Sequence, residues 1–144
     1  MILLTKVFLD TNVLMDLLVS ERNSVPVNYI LTAVSKHLLE AQISTQSIID
    51  AYYSSQKYHV PFSAFRDFVE QIRRYVNFSW IDFRDIDWAL ENYSGDFEDD
   101  AQYACAYQGA CDYFITRDKG LLSHNTLQSP LQIISPDDFV AQMF

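Results

Sequence analysis

Val7-Phe8-Leu9-Asp10-Thr11-Asn12-Val13-Leu14-Met15-Asp16 is the stretch on which the reading of this chain turns. Val7, Phe8 and Leu9 are apolar without alternation, as in a strand buried on both faces of a parallel sheet. Asp10 ends that run, and Thr11-Asn12 opens an amphipathic segment. A carboxylate at the carboxyl end of a buried strand stands where open α/β sheets place their ligands. Asp10 can also be read as a helix cap. Thr11 and Asn12 offer that capping themselves, which would leave Asp10 free. Asp16, four residues after Asn12, reads as a solvated or capping acid.

The rest of the chain repeats this alternation. Strands are expected at Lys6–Leu9, 42–44, 78–81, Tyr113–Ile115 and Gln132–Ile134. Helices are expected at 12–19, 26–39, 45–58, 62–75, 86–93, Phe97–Gln108 and Pro136–Met143. Val27, Ile30, Leu31, Val34 and Leu38 carry the helical spacing of the second helix. Thr45 or Ser47 would cap the third, and Gly109 would close the helix before it. Strands separated by helical patterns of this length imply βαβ units, hence a mostly parallel sheet of about five strands with helices on both faces.

Composition bounds the class. With 144 residues and 49% hydrophobic content the chain is long and apolar enough for one packed core, so a single domain over 1–144 is expected. Three Gly and four Pro are too few for a many-turned β-sandwich. No apolar run approaches the roughly 20 residues that span a bilayer, and no basic leader opens the chain, so a cytoplasmic location and no membrane partner are expected. Cys105 and Cys111 read as buried thiols. A net charge of −9 opposes nonspecific binding of a polyanion. The charges are uneven: Lys57, Arg66, Arg73, Arg74 and Arg84 are half of the ten basic residues, whereas 82–100 holds eight of the nineteen acids.

Two more acids share the setting of Asp10. Tyr113-Phe114-Ile115-Thr116-Arg117-Asp118 is again an apolar run, a Thr and an Asp at the carboxyl end, although Asp118-Lys119-Gly120 also supplies turn chemistry. Gly95-Asp96-Phe97-Glu98-Asp99-Asp100 opens a helix, where the dipole favours acids and Asp96 with Asp99 resembles a capping box. That account serves Asp96 and Glu98. It serves three successive acids less well, and Asp99 is aimed at the rim of the sheet. Asp50 sits inside a helix among Ile48, Ile49, Tyr52 and Tyr53, at a cost in propensity.

Carboxylates gathered at one rim repel. At about 4 Å each like pair costs about 4 kcal/mol at an effective dielectric of about 20. A divalent cation removes that cost. Hard oxygen donors select Mg²⁺ or Mn²⁺ over zinc, and such a site suits phosphodiester hydrolysis. No Ser–His or Cys–His arrangement offers a protein nucleophile; His37, His59 and His124 are scattered.

The segments 7–16, 96–102 (Asp-Phe-Glu-Asp-Asp-Ala-Gln) and 114–118 (Phe-Ile-Thr-Arg-Asp) resemble the three signature segments of PIN domains. Ile133-Ile134-Ser135-Pro136-Asp137-Asp138-Phe139 resembles the usual last strand and helix. The resemblance implies a three-layer α/β/α sandwich and Mg²⁺- or Mn²⁺-dependent endoribonuclease activity. At this length it is similar to the VapC-type toxins of bacterial toxin–antitoxin pairs. It assigns Asp10, Asp99 and Asp118 as metal ligands, Asn12 and Thr116 as their support, and Asp50 where the family commonly has Glu. Arg66, Arg73, Arg74, Arg117 and Lys119 become candidates for RNA contacts. It further implies an RNA substrate, a homodimer and a small antitoxin protein as partner, with the aromatic helices at 45–58 and 62–75 as the candidate groove. Two alternatives stand beside it. One is an inactive PIN-fold module that binds RNA or protein. The other is a phosphatase using the first-strand Asp as nucleophile, against which Asn12 stands where a second Asp is needed.

Overall fold

The computed structural model of the chain describes residues 3–124 and 130–144. Five parallel strands, β1 (Lys6–Leu9), β2 (Glu40–Ser44), β3 (Asn77–Ser79), β4 (Tyr113–Ile115) and β5 (Gln132–Ile134), form one sheet in the order β3-β2-β1-β4-β5. β1 is central, with Phe8 opposite Gln42 on one side and Phe114 on the other. The helices are α1 (Thr11–Leu18), α2 (Val25–Ser35), α3 (Thr45–Ser55), α4 (Phe62–Ile72), α5 (Phe83–Glu91), α6 (Phe97–Gln108), α7 (Lys119–Leu122) and α8 (Pro136–Met143). This is the expected α/β/α sandwich.

The pleat divides the core in two. Val7, Leu9, Ala41, Ile43 and Ile115 pack against α2, α4 and α8 through Ile30, Val34, Phe68, Ile72 and Phe139. On the opposite face Phe8 and Phe114, their rings stacked at 5.2 Å, meet Tyr103, Cys105 and Ala106 of α6. Burying a large apolar side chain contributes roughly 1.5–3 kcal/mol, so these two layers hold the sheet edge rigid. Both cysteines are buried free thiols, and burial pushes Cys111 up to about 12, far from a reactive thiolate.

Several boundaries differ from expectation, each for a local reason. α2 ends at Ser35 rather than 39, because His37 turns left-handed (φ 60°) and the amides of His37 and Leu38 bond back to Val34 and Ala33. α5 begins at Phe83 rather than 86, because Asp82 and Asp85 form a reciprocal capping box. The helix expected over 45–58 stops at Ser55 and continues as a 3₁₀ turn, Gln56–Tyr58. Its cap is Ser44, which accepts from the Ser47 amide, rather than Thr45 or Ser47. β2 starts two residues earlier and β3 ends two earlier than the apolar runs suggest.

Candidate active site

The strand order reverses at β1. The chain lays β2 and β3 to one side and then β4 and β5 to the other, which opens a crevice between the carboxyl ends of β1 and β4. Such switch points are where open α/β sheets bind ligands. Asp10 follows β1 and Asp118 follows β4, so the two strands deliver both acids to this crevice.

Asp10 is buried and fully engaged. One carboxylate oxygen accepts from the Thr11 amide at 2.8 Å; the other accepts from the Thr116 hydroxyl at 2.8 Å and the Asn12 amide at 3.2 Å. Asp10 is thus itself the cap of α1, not Thr11 or Asn12. Thr116, fully buried, donates to Asp10 and accepts from the Asp118 backbone amide at 3.0 Å. Asn12 also accepts from the Arg117 amide at 3.0 Å. One threonine and one asparagine therefore hold the turn after β4 against the turn after β1. Burial raises the Asp10 pKa and outweighs these hydrogen bonds, with Asp118 adding to the rise.

Asp118 caps α7 through the Leu121 amide at 2.9 Å, so the turn chemistry read from the sequence and the rim position coexist. Asp99 enters from the first turn of α6. Its amide donates to Asp96, but the return bond of a capping box is not made, which leaves the Asp99 carboxylate to the cleft. Burial, then Asp10, Asp96 and Asp118, push its pKa up to about 7. Asp100, by contrast, is buried and anchors Ser94 through both its amide (2.8 Å) and its hydroxyl (2.6 Å).

Asp50 does not stand with the first three. It pairs with Glu98, which the sequence reading had assigned to the helix dipole alone. Asp50 Oδ1 accepts from the Gln46 amide at 3.0 Å while Oδ2 is buried without a donor, and the proximity of Asp50, followed by burial, pushes the Glu98 pKa up to about 8. The run of three acids at 98–100, poorly explained by capping, was the signal for it.

A cleft of about 250 Å³ joins Asp10, Asn12, Asp99 and Glu98 to Arg22, Lys57 and Tyr58. Neither cation was among the candidates for substrate contact. Arg73 and Arg74 were, and the topology removes them: α4 runs from the carboxyl rim back to the amino end of β3, so its terminal arginines lie at the edge away from the acids. Arg66 is exposed on α4, and Lys119 is exposed beside Asp118. Arg117 is committed elsewhere. Its guanidinium bonds the buried Asp16 and the Ser24 hydroxyl (2.8 Å). Asp16, far from being a solvated acid, also takes Arg22 at 3.0 Å, and Arg22 in turn donates to the Asn12 carbonyl at 3.1 Å.

Among the described residues no three His, Cys, Asp or Glu side chains are clasped tightly enough to hold an ion as they stand. Asp10 and Asp118 direct oxygens to caps and to Thr116. The donor chemistry nevertheless fits a hard divalent cation: three carboxylates on three elements around a cleft, where the charge of Asp118 raises the pKa of Asp10 and the charges of Asp10 and Asp118 raise that of Asp99.

A comparison with curated protein sequences returned no significant match. Solved structures share the fold. A toxin–antitoxin complex from Klebsiella pneumoniae aligns with a TM-score of 0.61 at 19% identity, covering 88% of this chain and 99% of that one. The sarcin–ricin loop cleaving toxin VapC20 of Mycobacterium tuberculosis aligns with a TM-score of 0.63 at 11% identity, covering 85% and 98%. VapBC2 of Rickettsia felis, bound to a DNA fragment from its promoter, aligns at 0.66 and 11% identity, covering 91% and 98%. The family model described as PIN domain matches residues 6–120, a span running from β1 to the start of α7 and taking in Asp10, Asp99 and Asp118. The chain belongs to the PIN domain family.

Proposed function

We propose that this protein is a metal-dependent endoribonuclease, a single nuclease domain acting as the toxin of a toxin–antitoxin pair. The observation that carries this reading is that the ends of β1 and β4 and the first turn of α6 bring Asp10, Asp118 and Asp99 to two adjoining clefts that share Asp99, whose carboxyl burial and its acidic neighbours push up to about 7. Asp10, Asp99 and Asp118 are the metal ligands in this reading. When bound, Mg²⁺ or Mn²⁺ neutralises these acids, polarises a phosphoryl oxygen and makes water acid enough to attack near neutral pH.

The chain's own residues do the rest. Thr116 and Asn12 fix the rotamer of Asp10, the kind of support whose loss costs roughly 10–100-fold in metal affinity or activity. Arg22 and Lys57, in the same cleft, offer positive charge to the phosphates of the RNA strand. They meet the objection raised by the net charge of −9, because a local cationic wall is sufficient for a polyanion that enters a cleft. Glu98 lines the cleft, its carboxyl pushed up to about 8 by Asp50 and by burial, and in this reading Asp50 assists from behind it. The VapC20 neighbour is described as a toxin that cleaves the sarcin–ricin loop, and the Klebsiella pneumoniae neighbour as a toxin–antitoxin complex, which supports RNA as the substrate class and a small antitoxin as partner. Exposed Ile49 and Tyr53 of α3 and Phe62 of α4 offer an apolar face for that antitoxin. A homodimer accords with the family resemblance. No helix among the described residues is long and apolar enough to cross a membrane, in keeping with action in the cytoplasm.

The purified protein with Mn²⁺ is expected to cut a mixed single-stranded RNA. Asp10→Asn and Asp99→Asn are expected to reduce the rate at least 100-fold while unfolding normally in urea. Equal loss of RNA in wild type and Asp10→Asn would mean contamination and overturn the nuclease; failure of all three to cut, with retained RNA binding, would favour the inactive binding module.

A further inference from the structure

A second cavity lies across the acids from Arg22 and Lys57. About 300 Å³ in volume, it opens between α5, α6 and α7 and is lined by Trp88, Tyr93, Tyr103, Asn92, Ser94 and His124. Its size sits at the lower end of the about 300–1,000 Å³ of small-ligand pockets. It is not isolated. Ser94, Leu121 and His124 also line the groove that contains Asp96, Asp99 and Asp118. An occupant of the cavity is therefore a neighbour of whatever the acids hold.

The walls are aromatic and fixed. The Trp88 and Tyr103 rings pack at 5.6 Å with a 30° tilt. Tyr103 is buried and its hydroxyl donates to the Leu131 carbonyl at 3.4 Å. Tyr93 is exposed, yet its hydroxyl donates to the Gly95 carbonyl at 3.0 Å, which holds the ring at the mouth. Asn92 spends its amide on the Trp88 carbonyl at 2.9 Å, so its side-chain oxygen remains to accept. No Lys or Arg lines this cavity among the described residues, and Glu91 and Asp100 do, which makes it a poor seat for a phosphate. The site thus has two arms: a cationic arm at Arg22 and Lys57, and an aromatic arm with polar edges.

A phosphodiester held at the acids presents its backbone to one side and its base to the other. We infer that the aromatic cavity is a nucleobase subsite, taking an unstacked base next to the scissile phosphate of single-stranded RNA; it rests on the ribonuclease reading. Flat aromatic walls with a few polar acceptors are how proteins read unpaired bases, and stacking costs no charge in a chain this acidic.

The chain's two tryptophans, Trp80 and Trp88, make the test direct. In the Trp80→Phe protein with EDTA, which stops cleavage, Trp88 is the only indole. A five-nucleotide RNA is expected to quench its emission, and an abasic strand of the same length is not. Tyr93→Ala and His124→Ala are expected to weaken that binding about tenfold each and, with Mn²⁺ present in the full-activity protein, to raise KM more than they lower kcat. Tyr93→Phe, which keeps the ring and loses only its tether to the Gly95 carbonyl, is expected to weaken binding less than Tyr93→Ala. Equal quenching by the abasic strand, saturation by a nucleoside monophosphate that leaves RNA binding untouched, or an unchanged KM in Tyr93→Ala would each overturn the subsite while Asp10-dependent cleavage stands. Base-dependent quenching in a protein that never cleaves would sustain the subsite and overturn the ribonuclease.

Discussion

Asp16 shows how one buried carboxylate organises a site it does not enter. It is 5% exposed and holds two arginines that are each about one-third exposed. Arg22 reaches the cleft and the Asn12 carbonyl; Arg117 precedes Asp118, and its amide meets Asn12. Removing one partner of a buried ion pair costs about 3–5 kcal/mol, because the remaining charges stay behind unpaired. The partial exposure of both arginines lets water recover some of that. Asp16→Ala is expected to lose roughly 3 kcal/mol in urea unfolding, and Asp16→Asn less, since the amide oxygen still accepts one guanidinium bond. A loss under 1 kcal/mol for Asp16→Ala would show that the trio contributes no more than a surface pair. None of this was visible in the sequence. Asp16 is an acid on a helix, and only the fold brings Arg117 to it across 101 positions of chain. Asp10, Asp99 and Asp118 were visible because strand ends and helix starts are local features. Glu98 was accounted for by the helix dipole, and only the run of three acids at 98–100 went beyond that account.

At the level of elements, the helix ends carry the clearest departure from pattern. Gly109 was read as the residue that closes α6, and it is the C-cap, but with an ordinary φ of −77°. The left-handed residue is Ala110, at φ 57°, whose amide and that of Cys111 bond back to Tyr107 and Ala106. Glycine is needed one position earlier for a different reason. A Cβ at Gly109 would stand 2.6 Å from the amide atoms of buried Gln42, which bonds Ser79 at 2.7 Å across the sheet. Gly109→Ala is therefore expected to destabilise by about 1–3 kcal/mol, the usual cost of overpacking. Ala110→Gly is expected to stabilise by up to about 1 kcal/mol, by relieving an alanine from the left-handed region. Equilibrium urea unfolding of the two variants measures both; stabilisation by Gly109→Ala would mean that Gln42 yields freely. The direction of elements explains the other misreading. Arg73 and Arg74 form the densest basic pair in the chain, but a helix that returns between two parallel strands puts its end at the wrong edge. Composition locates charge along a sequence; only topology locates it in space.

For the whole molecule, the acids at the rim set how stability depends on pH. Asp99 is pushed from 3.8 to about 7 by burial and then by neighbouring carboxylates, and Glu98 from 4.5 to about 8 by Asp50 and then by burial. Both groups bind a proton more tightly in the folded chain than in the unfolded one. Their contribution to stability is full below 3.8 and 4.5 and is lost as pH rises through about 7 and 8. The net charge of −9 works in the same direction, since self-repulsion grows as the last carboxyls ionise. The metal-free protein is thus expected to melt progressively lower between pH 5.5 and pH 8.5 (values on the order of the two titrations). A divalent cation that binds only the folded state raises stability by RT ln(1 + [L]/Kd), about 2.7 kcal/mol at a hundredfold excess over Kd. Because protons compete for the same carboxylates, the gain from Mn²⁺ is expected to be small at the acid end and largest at the alkaline end. Thermal scans with EDTA and with Mn²⁺ across that range measure both effects. In Asp99→Asn, which carries no titrating carboxyl at that position, the fall in Tm with pH is expected to shallow and the Mn²⁺ gain to shrink. A wild-type Tm that rises toward pH 8.5 in EDTA would contradict the charge crowding at the rim, and with it the reason these three acids are read as a cation site.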